Sequence, residues 1–312
     1  MKLKNIWFIG TGNFAAQCLE ELIKNGLTFS KIITGLPTRS GRNGKENPSA
    51  VELKANSLGL EVSRTKKLNN NLDILAAFES KTPELVFVID FGQLILEPFL
   101  SAPEYGCLNI HPSLLPEYRG AAPIQRALLN GEKYTGVTVF KLAKAMDAGG
   151  ILTQKKFEIP KDFNASDLHD ELSKTGAKIA AEALKKIPEF NLTPQDDEKA
   201  TYAEKLNKSE FALSFSMTAE KFCNTVRALD MSGGAYIYIK NKRLKIWRVK
   251  LHDEIKNIKT PGTVVNLDDN PIFSCLDFCV EFVEVQSEAK KRTTGCEWAR
   301  GARLILGQEL KK

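Results

Sequence analysis

Two rhythms of apolar and polar positions divide this chain. Over its first 190 residues, short apolar runs alternate with stretches in which apolar residues return every three or four positions. Asn5–Gly10 (NIWFIG) is nearly all apolar and closes on glycine, the pattern of a strand buried on both faces. Asn13 reads as a helix N-cap; Leu19, Leu22 and Ile23 then recur at helical spacing, and Gly26 stops the helix. Phe29–Thr34, Leu85–Asp90, Gly106–Ile110, Gly136–Leu142 and Ile151–Ile159 repeat the strand pattern. Pro48–Leu58, Leu72–Ser80, Pro123–Leu129 and Ala165–Lys186 repeat the helical one, and polar Gly35–Pro48 reads as a loop. This βα alternation predicts an α/β fold with a mostly parallel sheet.

Near Phe190 the rhythm changes. Asn191–Lys199 is polar and contains proline, as a linker does. A helix over Thr218–Leu229 precedes short strands at Ala235–Lys240, Arg243–Lys250, Gly262–Leu267, Ile272–Leu276 and Phe278–Val285. Turn residues separate them, which predicts a smaller OB-like β-barrel. The expected partition is an α/β domain over 1–190, a linker over 191–206 and the barrel domain over 207–312.

Composition narrows the class. Hydrophobic residues are 43% and charged residues 26% of 312, values of an ordinary globular protein. No apolar run nears the roughly 18–20 residues that cross a bilayer. The apolar stretch at the N-terminus, about six residues, is too short for a secretory signal. A cytoplasmic protein without membrane contact is expected. The six cysteines are scattered and the three histidines join no cluster of zinc spacing, so reduced thiols and no metal are expected.

Charge is uneven. Residues 1–204 balance, whereas 205–312 hold 19 basic and 13 acidic side chains, so the whole net charge of +6 lies there. The densest run, Lys240–Lys250, includes Lys242, Arg243, Lys245 and Trp247. Basic residues among aromatics on a β module suit a polyanion, nucleic acid first; a solvated basic face is the plainer reading.

Gly10-Thr-Gly12-Asn-Phe-Ala15 follows a strand, opens a helix and satisfies the dinucleotide fingerprint. The second strand, however, ends Ile33-Thr34-Gly35 without the acidic residue that would hold a ribose. A tight turn with close helix–strand packing explains the glycines as well.

The chemistry concentrates in 106–126, GCLNIHPSLLPEYRGAAPIQR. Alternation in a strand sends Asn109 and His111 to one face and Leu108 and Ile110 to the other. Pro112 restrains His111 to extended backbone. An amide can donate to a developing oxyanion and an imidazole can take a proton. Asp147, in Met146-Asp-Ala-Gly-Gly150 after the next strand, can orient the imidazole if neighbouring strand ends bring them together. This set suggests direct group transfer through a tetrahedral intermediate; a core histidine bonded to backbone is the alternative.

The motifs Asn109-Ile-His111-Pro-Ser-Leu-Leu-Pro116, Tyr118-Arg-Gly-Ala-Ala-Pro-Ile-Gln-Arg126, Thr135-Gly-Val-Thr138 and Asp147-Ala-Gly149 resemble the methionyl-tRNA formyltransferase family. The opening turn and Thr201-Tyr-Ala-Glu-Lys205 extend the resemblance over nearly the whole chain. It implies a Rossmann-like catalytic domain joined by a linker to an OB-like β-barrel, and transfer of the formyl group of 10-formyltetrahydrofolate to the α-amino group of initiator methionyl-tRNA, by a monomer. Asn109, His111 and Asp147 would be the catalytic trio. Ser113, Leu114, Leu115 and Pro116, with Phe91, Gly92 and Ile95 of Asp90–Leu96, would flank the folate. Arg39, Arg42 and Lys45 of the 35–48 loop, with Lys242, Arg243 and Lys245, would meet tRNA. An amino-sugar nucleotide is the alternative acceptor, since the trio is shared with the wider folate-dependent formyltransferases. The chain departs from the family's usual pattern in carrying Gly12 for proline, Asn13 for an acid and Asp90-Phe91-Gly92 for Ala-Tyr-Gly.

Overall fold

The computed structural model describes residues 3–40, 45–187, 191–239, 241–256 and 259–310. The chain forms two compact units. The first comprises Met1–Ala121, Tyr134–Glu158 and His169–Ala203; the second comprises Ala122–Lys133, Ile159–Leu168 and Glu204–Lys312. The polar stretch after residue 190, read as a linker, therefore runs with the first unit as far as Ala203.

In chain order the elements begin with Ile6–Gly10 (β1), Asn13–Lys24 (α1), Lys31–Gly35 (β2), Thr38–Ser40 (β3), Lys45–Asn47 (β4) and Ala50–Ser57 (α2). Ser63–Thr65 (β5), Leu72–Ser80 (α3), Leu85–Ile89 (β6), Cys107–His111 (β7), Arg119–Gly120 (β8) and Pro123–Leu129 (α4) follow. Then come Tyr134–Lys141 (β9), Ile151–Glu158 (β10), Ala165–Leu184 (α5) and Tyr202–Ala203 (β11).

The first unit is built on a seven-stranded sheet ordered β10-β9-β7-β6-β1-β2-β5. The strands β5, β2, β1, β6 and β7 run parallel, as the apolar runs predict; β9 and β10 add an antiparallel edge. β1 and β6 are buried along their whole length. Trp7, Ile9, Ile33, Ile74, Phe78, Val86, Val88 and Phe99 form one core cluster. From β1 the chain builds outward to β2 and β5, then returns to lay β6 on the other side of β1. The carboxyl ends of β1 and β6 thus flank the point where strand order reverses, the usual ligand crevice of open α/β sheets. The expected polar loop 35–48 contains a small hairpin, β3 with β4. Gly12, not Asn13, is the N-cap of α1, because the helix already includes Asn13.

The second unit holds Ala219–Ala228 (α6), capped by Thr218, and the strands Ala235–Ile239 (β12), Lys242–His252 (β13), Val264–Asn266 (β14), Ile272–Ser274 (β15), Cys279–Ser287 (β16) and Thr293–Thr294 (β17). Gly295–Gly301 (α7) closes the list of elements. The sheet is antiparallel, ordered β12-β13-β16-β15-β14, with β17 on β16. Phe273 packs on Phe282 at 4.5 Å between ring centroids, and Phe215 and Phe222 stack beside them. Among the described residues no strand pairing joins β12 to β14, and this antiparallel sheet is separate from the mostly parallel sheet of the first unit.

Candidate active site

β7 ends on His111, and its neighbour β9 pairs His111 with Thr138 and Asn109 with Phe140. His111 is 5% exposed. Its Nε2 lies 2.9 Å from the Tyr118 carbonyl. A carbonyl only accepts, so Nε2 carries the proton and Nδ1 bears the lone pair of the neutral ring. Nδ1 lies 3.8 Å from Asp147 Oδ2. That carboxylate oxygen also accepts the Gly120 N–H at 2.9 Å. The structure therefore brings His111 and Asp147 together. The Asn109 side chain is half-buried, and no hydrogen bond engages it among the described residues.

Asp147 sits in the β9–β10 connection with φ 52°, left-handed backbone that side chains rarely adopt. Two residues on, a Cβ at Gly149 would stand 1.7 Å from the Lys141 carbonyl oxygen, so only glycine closes this turn. Tyr118, which holds His111, is also left-handed, with φ 58°.

The segment Ser113–Pro116 forms a fixed lip. Thr138 Oγ1 donates to the Ser113 carbonyl at 2.7 Å and accepts the Leu115 N–H at 3.1 Å. Gln154 Nε2 donates both to Thr138 Oγ1 at 2.8 Å and to the Leu115 carbonyl at 2.7 Å. Ser113 Oγ donates to the Glu117 carbonyl at 2.6 Å, so this hydroxyl is committed to its own turn. Leu115 is buried, while Leu114 and Pro116 are half-buried. Phe91 and Ile95 turn into the core cluster. In that loop Gly92, Leu94 and Leu96 are open to solvent.

At the strand-order reversal, the Asp90 carbonyl accepts the N–H groups of Thr11 and Gly12, both at 3.1 Å. Its carboxyl group lies over Gly12, where a Cβ would come within 1.8 Å of Oδ2. The Phe14 N–H bonds this carboxyl, but loss of hydration outweighs that bond and raises it to about 6. The place where a dinucleotide fingerprint would seat pyrophosphate is thus taken by the chain's own acid. Gly12 and Asp90, two departures seen separately in the sequence, fit each other.

Of the residues expected at tRNA, Arg42 lies outside the described residues. Arg39 and Lys45 fall on the β3–β4 hairpin. Lys242, Arg243 and Lys245 fall on β13, where Arg243 lies 6.0 Å from the Tyr236 ring and Lys245 Nζ lies 5.3 Å from the Trp247 ring. Among the described residues no group of three His, Cys, Asp or Glu side chains is placed to hold a metal ion. No helix among them is long and apolar enough to cross a membrane.

Sequence reading passed over Gln154 and Gln195, and took Arg119 and Thr201 only as members of the family motifs, without a role. The amide nitrogen of Gln195 and the hydroxyl of Thr201 bond backbone atoms around His111 and Asp147, and such contacts leave no residue-type spacing to read.

Comparison places the chain in a known class. The chain belongs to the formyl transferase family: residues 4–184 match its formyl transferase domain and 205–303 its C-terminal domain. Within it, the methionyl-tRNA formyltransferase of Caldanaerobacter subterraneus subsp. tengcongensis is 35% identical, covering 98% of this chain and 99% of that one. The methionyl-tRNA formyltransferase of Bacillus licheniformis is 33% identical over 99% of this chain and 98% of its own length. Among solved structures, HypX from Aquifex aeolicus in complex with tetrahydrofolic acid shares the fold at TM-score 0.63 and 18% identity over 94% of this chain. This chain spans 46% of the HypX chain. WlaRD, a sugar 3N-formyl transferase, shares it at TM-score 0.61 and 21% identity, over 93% of this chain and 100% of that one.

Proposed function

We propose that this protein transfers the formyl group of 10-formyltetrahydrofolate to the α-amino group of methionine on initiator tRNA. The observation that carries the reading is His111 Nδ1, with its lone pair, held 3.8 Å from the Asp147 carboxylate in a chain alike along its whole length to methionyl-tRNA formyltransferases. The neutral amine attacks the formyl carbon, and its carbonyl oxygen becomes an oxyanion. The free Asn109 amide donates to that oxygen. The attacking nitrogen, now cationic, passes a proton to His111 Nδ1, and Asp147 stabilises the resulting imidazolium. The bond from the formyl carbon to the folate nitrogen then breaks; its electron pair stays on that nitrogen, which takes up a proton as the carbonyl re-forms.

The lip Ser113, Leu114, Leu115 and Pro116 and the backbone near Gly92 flank the folate in this reading. Leu94 and Leu96, rather than the buried Phe91 and Ile95, offer apolar side chains there. Lys242, Arg243 and Lys245, with Arg39, Arg42 and Lys45, meet tRNA phosphates. The stretch 191–206 joins the two domains while running with the first as far as Ala203, the C-terminal domain is OB-like, and the protein works as a cytoplasmic monomer.

The test is a formyl-acceptor assay with 10-formyltetrahydrofolate and either methionyl initiator tRNA or an amino-sugar nucleotide. Formyl-methionyl-tRNA is the expected product. Formylation of the amino sugar alone would overturn the acceptor.

A further inference from the structure

Residues 191–199 are mostly polar, and all but one are exposed; the exception is Gln195, half-buried. Its amide orientation is fixed by chemistry. Nε2 lies 2.8 Å from the Asp147 carbonyl and 2.7 Å from the Gly149 carbonyl, and carbonyls only accept. Oε1 accepts from Arg119 Nε at 3.1 Å and Nη2 at 2.8 Å, and guanidinium only donates. Arg119 is 4% exposed and also pairs with Asp197 at 2.7 Å. One carboxamide thus bridges a buried cation to the backbone on both sides of Ala148.

Six residues on, Thr201 makes a second attachment. Its Oγ1 accepts the Tyr118 N–H at 2.8 Å, and its carbonyl accepts the Arg119 N–H at 2.8 Å. β11 then lies parallel on β8. Among the described residues of the first unit, three non-glycine residues have left-handed backbone: Asp90, Tyr118 and Asp147. The segment holds two of the three, and these two carry the partners of His111. Asp147 faces Nδ1, and the Tyr118 carbonyl fixes Nε2–H.

We infer that Gln195 and Thr201 are positioning residues for the proton-transfer pair: the stretch Asn191–Ala203 is a strap that keeps Asp147 and His111 in register. The inference rests on the formyl-transfer reading above. Gln195 acts through Asp147 by holding the two carbonyls that bracket it. Thr201 acts through Tyr118 by holding the peptide whose carbonyl orients the ring. Sequence hides both roles, because each side chain bonds the backbone of residues 48 and 83 positions away.

Gln195→Glu separates positioning from simple attachment. It keeps, and strengthens, acceptance from Arg119, but cannot donate to either carbonyl. The full-length Q195E, D147N, Q195E/D147N and T201V proteins are compared with the parent for kcat, both KM values and the pH dependence of kcat. We expect Q195E to lose about tenfold or more in kcat, with KM for 10-formyltetrahydrofolate within about twofold, as for a small misplacement of catalytic groups. Its pH–kcat profile shifts as that of D147N does, and the double variant is no slower than D147N, since the two residues act as one unit. Parental kcat in folded Q195E, or losses that multiply in the double variant, would overturn the inference. Should circular dichroism show Q195E unfolded, T201V carries the test: a similar fall in kcat supports the strap and parental kcat refutes it. An impaired D147N beside a fully active Q195E sinks the strap alone. A D147N protein as active as the parent removes the site reading and the strap with it.

Discussion

His111 has one nitrogen to offer, because Nε2–H is committed to the Tyr118 carbonyl at 2.9 Å. In the proposed mechanism loss of the ring removes the base, and loss of the Asp147 charge removes what stabilises its protonated form. We expect His111→Ala and Asp147→Asn each to lower kcat about a hundredfold or more, the usual span for acid–base groups, with little change in folate KM. Steady-state kinetics checks this, and near-parental kcat in both variants would refute the roles. Asp90 makes a different kind of prediction. Its carboxyl, raised to about 6 by lost hydration, holds its proton more tightly in the folded chain than in the unfolded one. Its favourable contribution is complete below about pH 4 and is lost as pH rises through about 6. The melting temperature of the parent should therefore fall relative to D90N between pH 4 and 7, and a constant difference across that range would contradict it. The approach of Asp147 to His111 was legible because strand alternation and a glycine-rich turn mark the two in sequence. The fit of Asp90 to Gly12 was not, since 78 positions separate two residues that meet only where β1 and β6 end side by side.

Elements with a strong rhythm were legible, and those without one were not. Buried runs such as Leu85–Ile89 and the amphipathic helix Ala165–Leu184 lie within a few residues of where the pattern puts them. The two-residue strands β8 and β11 have no period to detect, yet their pairing carries the strap. The antiparallel placement of β9 against β7 was equally silent, although it brings Thr138 beneath the lip. Thr138 Oγ1 joins three groups there: the Ser113 carbonyl, the Leu115 N–H and Gln154 Nε2. Thr138→Val keeps the shape and leaves buried polar groups unpaired, at about 1–3 kcal/mol each before any relaxation. We expect lower stability to urea and a raised KM for 10-formyltetrahydrofolate, with KM for tRNA much less affected. An unchanged folate KM would separate the lip from folate binding.

Charge is the property that only the whole molecule displays. The first 204 residues are neutral in sum, and the remainder carries the entire excess of six positive charges. Folate chemistry has no need of that asymmetry, because the trio and the lip lie in the neutral part. A polyanionic acceptor does, since each phosphate neutralised releases condensed counterions. On β13 the basic side chains stand among aromatic rings, Arg243 by Tyr236 and Lys245 by Trp247, and Arg292, just before β17, lies over the same Trp247 at 3.6 Å. The two substrates should consequently respond differently to salt. KM for tRNA should climb steeply between about 50 and 200 mM salt, while KM for 10-formyltetrahydrofolate should hardly move. Arg243→Ala should raise tRNA KM at low salt and flatten the log–log slope by about 0.7–0.9, the contribution of one phosphate contact. Its turnover with saturating tRNA should match the parent, because Arg243 belongs to the charged C-terminal surface and to none of the groups around His111. An unchanged slope in R243A would mean that this arginine meets no phosphate, and the excess charge would then have to act through other side chains of the same unit.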